Sequence, residues 1–445
     1  MPSTPSIDSA GSSDQTLQLL RDLFNTAVTA AMPQQQVARA LAPYVKSAQS
    51  ASSESTGRVV VVGIGKSAAA MAKAVEDTWT SVGNLESPQG LVITRYGHSV
   101  PTKTVEVIEA GHPVPDENGV RGARRILQQV EPLTADDLVI CLISGGGSAL
   151  FSLPPEGISL ENLADINRQL LASGADITAM NTVRKSLSCS SGGRLAAAAY
   201  PAQVVSLIIS DVAGDSLSAI ASGPTVGDTA TAADALEILD RYRMTVPNHI
   251  RNYLQQNPNP VIAPGDQRLS TTTNHLIATP QQSLEAAAQV AIAHGHTPLI
   301  LSNAIEGEAR DVALVHGAIA RQIKQHHQPV APPCVILSGG ETTVTVTQKF
   351  VGKGGRNSEF LLALARYLDG VPGFAAFACD TDGIDGSEDN AGALITPELW
   401  QAGQNAQKYL DTHDSYSFFE SIEALVMTGP TLTNVNDFRA IVIEG

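Results

Sequence analysis

Short apolar runs, most of them closed by glycine, serine or aspartate, recur along the chain and alternate with longer stretches whose apolar positions fall at helical spacing. The first such stretch, opening TLQLLRDLFNTAV at residue 16, predicts helix to about residue 48. The small polar SAQSASSESTG predicts a linker. RVVVVGIG, GLVITR, TVEVIEAG, LVICLISGGGSA and QVVSLIIS then read as strands separated by helices. Runs this uniformly apolar suit strands covered on both faces, so the alternation predicts mostly parallel sheets flanked by helices. GPTVGDTATAADALEIL turns helical, the polar NPNPVIAPGDQRLSTTT interrupts the pattern, and NHLIATP, TPLILSN, CVILSGGETTV, FAAFACDTDGID and FRAIVI resume it. The expected organisation is a disordered N-terminus over residues 1–15, a Rossmann-like α/β domain over 16–245 and a second α/β domain over 265–445.

Composition narrows the class. A chain of 445 residues exceeds one ordinary core, which supports the two-domain reading. Only 4% of residues are aromatic while alanine, glycine and valine abound, so helices can lie close on a sheet. The net charge of −16 excludes a nucleic-acid binder, which needs a basic face, yet a few local cations can still hold a small anion. No apolar stretch reaches the length of a membrane span, and the polar start has no secretory pattern. Cys141, Cys189, Cys334 and Cys379 are far apart and read as reduced thiols, so a cytoplasmic protein is expected.

The candidate chemistry lies at strand ends. Gly63, Gly65 and Ala68 match a loose dinucleotide fingerprint, G-x-G-x-x-A, with Lys66 at the mouth of the following helix. Helix starts attract anions, and a lysine there adds charge. Ser144, Gly145, Gly146, Gly147 and Ser148 follow another apolar run; successive glycines expose N–H groups suited to phosphate. Arg184 and Lys185 either line a ligand or face water. Asp211 and Asp215 follow the strand QVVSLIIS, where a base or a Mg²⁺ ligand is useful, and Ser222 with Gly223 offers further small donors. In the second half Arg356 stands where a helix-start anion is expected, and Asp380, Asp382 and Asp385 form an acidic turn. Cations and glycine turns at strand ends in both halves suit phosphoryl transfer, which rests on positioning and charge.

These segments resemble the class II glycerate kinases. The resemblance is carried by VVGIGKSAAAMA, LISGGGSAL, NTVRKSLS with GGRLA, ISDVAGDSLSAIASGPTV, LSGGETTV, GKGGRNSEFLLALA, TDGIDGSEDNAGA and TGPTLTNVNDF, and covers nearly the whole chain from residue 16. The last part is similar to the C-terminal MOFRL domain of that family. The resemblance implies two α/β domains with the active site in the cleft between them. It also implies ATP-dependent phosphorylation of D-glycerate, usually at the 2-hydroxyl, with a divalent cation. It assigns Lys66 and Arg356 to the catalytic cleft. The sequence departs from the family pattern at Ser186 (often histidine), Ser191 (often lysine) and Leu432 (usually glycine). Members have often been named hydroxypyruvate reductases, so an NAD(P)H-dependent reductase is the alternative. ATP and Mg²⁺ are the expected cofactors and D-glycerate the expected partner, with a homo-oligomer left open and neither nucleic acid nor membrane expected.

Overall fold

A computed structural model describes residues 12–50, 57–81, 87–346, 352–403 and 405–445. Residues 1–11 of the N-terminus expected to be disordered, and residues 51–56 of the predicted linker, lie outside the described residues. From Ser12 the chain is helical. It forms two compact units, one of residues 33–210 and 215–277, the other of residues 1–32, 211–214 and 278–445.

The first unit holds β1 (Val59–Ile64), β2 (Gln89–Arg95), β3 (Val105–Ala110), β4 (Leu138–Ile143), β5 (Gln203–Ile209) and β6 (Thr272–Ala278). Their order is β3-β2-β1-β4-β5-β6, and β1 to β5 pair in parallel. This is the strand order of a dinucleotide-binding Rossmann sheet. The order reverses between β1 and β4, and a crevice for ligands opens at the carboxyl ends of strands at such a point. The helix Ala68–Thr80 buries Ala68, Ala69, Ala70 and Ala72, small residues that let it lie close on the sheet, together with Met71 and Val75.

The second unit holds β7 (Thr297–Glu308), β8 (Cys334–Thr343), β9 (Phe374–Asp380), β10 (Gly392–Ile395), β11 (Leu425–Val426) and β12 (Asp437–Ile443), ordered β11-β10-β9-β12-β8-β7. β7 and β8 are parallel, while β12 runs antiparallel between β8 and β9. Alternate residues of β12 serve two cores. Ile441 and Ile443 face the helices Ala309–His326 and Arg356–Leu368, and Phe438, Ala440 and Val442 face Ser12–Ala30 and Pro280–Ala293.

Two boundaries differ from the sequence expectation. The first helix belongs to the second unit, because Leu19, Leu20, Leu23 and Phe24 cover its sheet; Phe24 stands 5.0 Å from Phe377, ring centre to ring centre. NHLIATP becomes β6 of the first sheet, so the division moves from about 245–265 to Ile277 and Ala278. Apolar periodicity marks a strand or a helix but not the sheet it joins. Among the described residues no helix is long and apolar enough to cross a membrane.

Candidate active site

β1 and β4 are neighbours and end at the reversal of strand order, so their following turns meet. The sequence credits both turns with open donors, and the structure separates them. After β1, Gly65 N–H donates to Ile93 O (3.1 Å), Lys66 N–H to Gly145 O (2.8 Å) and Ala68 N–H to Gly65 O (3.1 Å). Ser67 N–H donates to Ser144 Oγ (3.0 Å). The donors from Gly65 to Ala68 are therefore engaged inside the protein, and at this helix start only the Ala69 and Ala70 N–H groups have no acceptor among the described residues, so the anion seat expected here is largely filled. Gly65, at φ 121°, has to be glycine, since a Cβ there would lie 2.3 Å from Ser144 Oγ. Ser144 is fully buried and ties one turn to the other, which corrects its expected place as a ligand donor. Lys66 is half-buried, its stem beside Gly146.

After β4 the donors stay open. Gly146 is left-handed at φ 79°, ψ −6°, and the N–H groups of Gly145, Gly146 and Gly147 have no acceptor among the described residues. Successive N–H groups around a left-handed residue form a concave nest that suits phosphate. Ser148 Oγ lies 2.8 Å from Ser222 Oγ, which joins this turn to the SGPT segment. Gly223 is buried at φ 58° and accepts the Gly193 N–H at 2.8 Å; it is scaffold and does not line the adjacent cavity.

That cavity, of about 380 Å³, opens beside Gly146, Ser148 and Ser222. Its size falls within the range of small-molecule sites. Leu153, Ile166, Leu171, Val183 and Leu187 supply apolar wall. Arg184, from the helix Ile177–Ser186, also lines it and donates from Nε to Asn167 Oδ1 at 2.8 Å. Lys185 does neither of the things expected of it: it is buried, with Nζ 2.5 Å from Asp228 Oδ2. Burial pushes the Asp228 carboxyl up, but Lys185 and the backbone donors outweigh this and hold it low. His112 and Ser188 are lining residues that sequence reasoning missed, and Ser191, one of the departures from the family pattern, lines the cavity too. The X-Pro turn at His112-Pro113, just beyond β3, was the available signal for the first.

In the second unit Arg356 opens the helix Arg356–Leu368 and is held by three carboxylates. Nε meets Asp437 Oδ1 at 2.7 Å, Nη1 meets Glu341 Oε1 at 2.8 Å and Nη2 meets Asp380 Oδ2 at 2.8 Å. Burial pulls the guanidinium pKa down, and Asp437, Asp380 and Glu341 more than reverse this. Asp437 also accepts from Asn357 Nδ2 at 2.8 Å and pairs with the buried Arg439. The anion expected at this helix start is the chain's own Asp385, which accepts Asn357 N–H (2.9 Å), Ser358 N–H (2.8 Å) and Ser358 Oγ–H (2.7 Å). The acidic turn is therefore a helix cap and an arginine clamp.

Asp211 lies just beyond β5 and, with residues 212–214, belongs to the second unit. There Asn434 Nδ2 donates to its Oδ2 at 3.3 Å and Asn436 Nδ2 donates to its carbonyl. Asp215 falls in the first unit, at φ 54°, and its buried Oδ1 has no hydrogen-bond partner among the described residues. The two carboxylates expected to share a metal thus sit in different environments. Among the described residues no group of three or more His, Cys, Asp and Glu is placed to hold a metal ion.

Residues 19–255 match a family described as a domain of unknown function (DUF4147), and residues 334–437 match the MOFRL family. The chain is 48% identical over 433 residues to a putative hydroxypyruvate reductase of Agrobacterium vitis, covering 96% of this chain and 94% of that one. It is 41% identical over 386 residues to the D-glycerate 2-kinase of Thermotoga maritima, covering 85% and 89%. A crystal structure of glycerate kinase from Thermotoga maritima matches with a TM-score of 0.83 at 36% identity, over 97% of this chain and 100% of that one.

Proposed function

The chain belongs to the MOFRL-type glycerate kinase family, and from that membership we propose that it is a D-glycerate 2-kinase, transferring the terminal phosphoryl group of ATP to the 2-hydroxyl of D-glycerate. The observation that carries this reading over a reductase is the contrast between the two turns. A dinucleotide site presents the first helix start to the pyrophosphate. Here the Gly65, Lys66, Ser67 and Ala68 N–H groups are engaged internally, leaving only Ala69 and Ala70 open at that start, while the Gly145, Gly146 and Gly147 turn keeps all its donors.

In this reading Gly145, Gly146 and Gly147, with Ser148 and Ser222, cradle the ATP phosphates, and the apolar wall of the cavity receives the base. The glycerate hydroxyl oxygen forms a bond to the γ-phosphorus as the bond to the β–γ bridging oxygen breaks. The hydroxyl proton passes to Asp211, which the Asn434 amide orients. Lys66 offsets the charge of the phosphoryl group in transit. Arg356 has two N–H groups beyond its three carboxylate partners, which suit an anionic ligand.

Mg²⁺ fits Asp215, whose orphaned carboxylate oxygen suits a cation. Asp215 would hold the ion as a single carboxylate, since Mg²⁺ needs only one or two from the protein and no cage of protein groups is required. The chemistry it would supply there is neutralisation of phosphate charge. The experiment is incubation with ATP, Mg²⁺ and D-glycerate, followed by phosphorus NMR, beside hydroxypyruvate with NADPH. Formation of 2-phosphoglycerate supports the proposal; NADPH oxidation without phosphoryl transfer refutes it.

A further inference from the structure

Arg184 lines the cavity without an acid beside it. Its neighbours are matched: Lys185 pairs with Asp228 at 2.5 Å, and Arg168, at the same cavity, pairs with Asp165 at 2.8 Å. Arg184 is half-buried and forms no ion pair among the described residues; the one hydrogen bond of its guanidinium there is to the neutral Asn167 Oδ1. Burial pulls its pKa down, and no carboxylate counters this. Withdrawing a charge from water is unfavourable unless a partner compensates. Here the compensating partner has to come from the cavity, which Gly146, Ser148 and Ser222 also line.

We propose that Arg184 binds the phosphate groups of the nucleotide as their fixed counter-charge, with Asn167 positioning its guanidinium. The inference rests on the reading of this cavity as the ATP site. Because Nε is held by Asn167, the two terminal nitrogens remain available, and their planar fork matches a pair of phosphate oxygens. Lysine at this position keeps the charge but loses the fork.

The test is calorimetric titration of the full chain with ATP, ADP and adenosine in the absence of D-glycerate. Arg184→Met keeps the length of the stem and removes the charge. ATP and ADP affinity should fall about 10- to 100-fold, the range for a lost hydrogen bond to a charged group, while adenosine affinity stays unchanged. Arg184→Lys, which serves if the first variant does not fold, should show a smaller loss for ATP and none for adenosine. Unchanged ATP affinity in both variants overturns the proposal, and so does an equal loss for adenosine, which would make Arg184 a wall of the base pocket. A rise in KM for D-glycerate with ATP affinity intact also overturns it while leaving the kinase reading in place. If the unsubstituted protein binds ATP through Arg184 but transfers nothing to D-glycerate, the kinase reading fails and this inference stands.

Discussion

Asp437→Asn tests whether one carboxylate organises the Arg356 network. Asp437 is fully buried in its side chain. Its Oδ1 accepts from Arg356 Nε at 2.7 Å and Asn357 Nδ2 at 2.8 Å, and its Oδ2 accepts from Thr342 N–H at 3.2 Å and pairs with Arg439. Asparagine preserves the shape but carries one acceptor and one donor group. In either amide orientation an N–H faces other N–H groups, and Arg439, 1% exposed, loses its ion pair. Arg439 has little else: Thr342 Oγ1 accepts from it at 2.9 Å and it lies 5.1 Å from the Phe360 ring centre, while Nε and Nη1 have no partner among the described residues. Breaking a buried pair by removing one partner costs about 3–5 kcal/mol. For a unit of this size that corresponds to a fall in Tm of about 6–20 °C. Differential scanning calorimetry of the full chain reads the shift. Arg439→Met in the Asp437→Asn background should recover part of it, because the stranded cation is gone. A single variant melting within about 2 °C of the unsubstituted protein refutes the reasoning, since a loss of about 3 kcal/mol could not hide there.

Lys66→Ala should lower turnover by about 10²-fold or more with the fold intact, measured by steady-state kinetics. Gly146→Val should weaken ATP binding by at least about tenfold, because φ 79° disfavours a side chain and a Cβ there lies 3.0 Å from His112 Nε2; a titration with ATP checks it. His316 is buried, donates or accepts at Ser338 Oγ (2.9 Å) and packs edge-on against Phe360; burial, with Arg439 nearby, pulls its pKa from 6.5 down to about 4. A depressed value in the folded state means stability is complete above about pH 6.5 and is lost as pH falls toward 4, by up to about 3 kcal/mol. Denaturant midpoints between pH 4 and 7 should show that slope, and His316→Gln should flatten it.

The sequence by itself determined the elements and the chemistry of their ends. Short β-branched apolar runs such as VVVVGI and LVICLI, each closed by a glycine turn, read as strands covered on both faces, and each is one. Glycine turns with Lys66 and Ser148 beyond those strands were legible as places where a phosphate could approach. Tertiary structure decided which donors remained. Ser144, Asp385 and the Gly145 carbonyl come from other parts of the chain and use several of the N–H groups that the turns and helix starts offer in isolation. It also decided which cations face a cavity: Arg184 and Lys185 are adjacent in sequence, yet successive helical positions point about 100° apart, so one lines the cavity and the other is buried against Asp228. The same holds for the sheets. Ser12–Ala30 and β6 each cross the boundary that linear order suggests, because an apolar face is satisfied by any complementary sheet and carries no address. Periodicity is local and fixes what an element is; pairing is long-range and fixes what its exposed groups have left to offer.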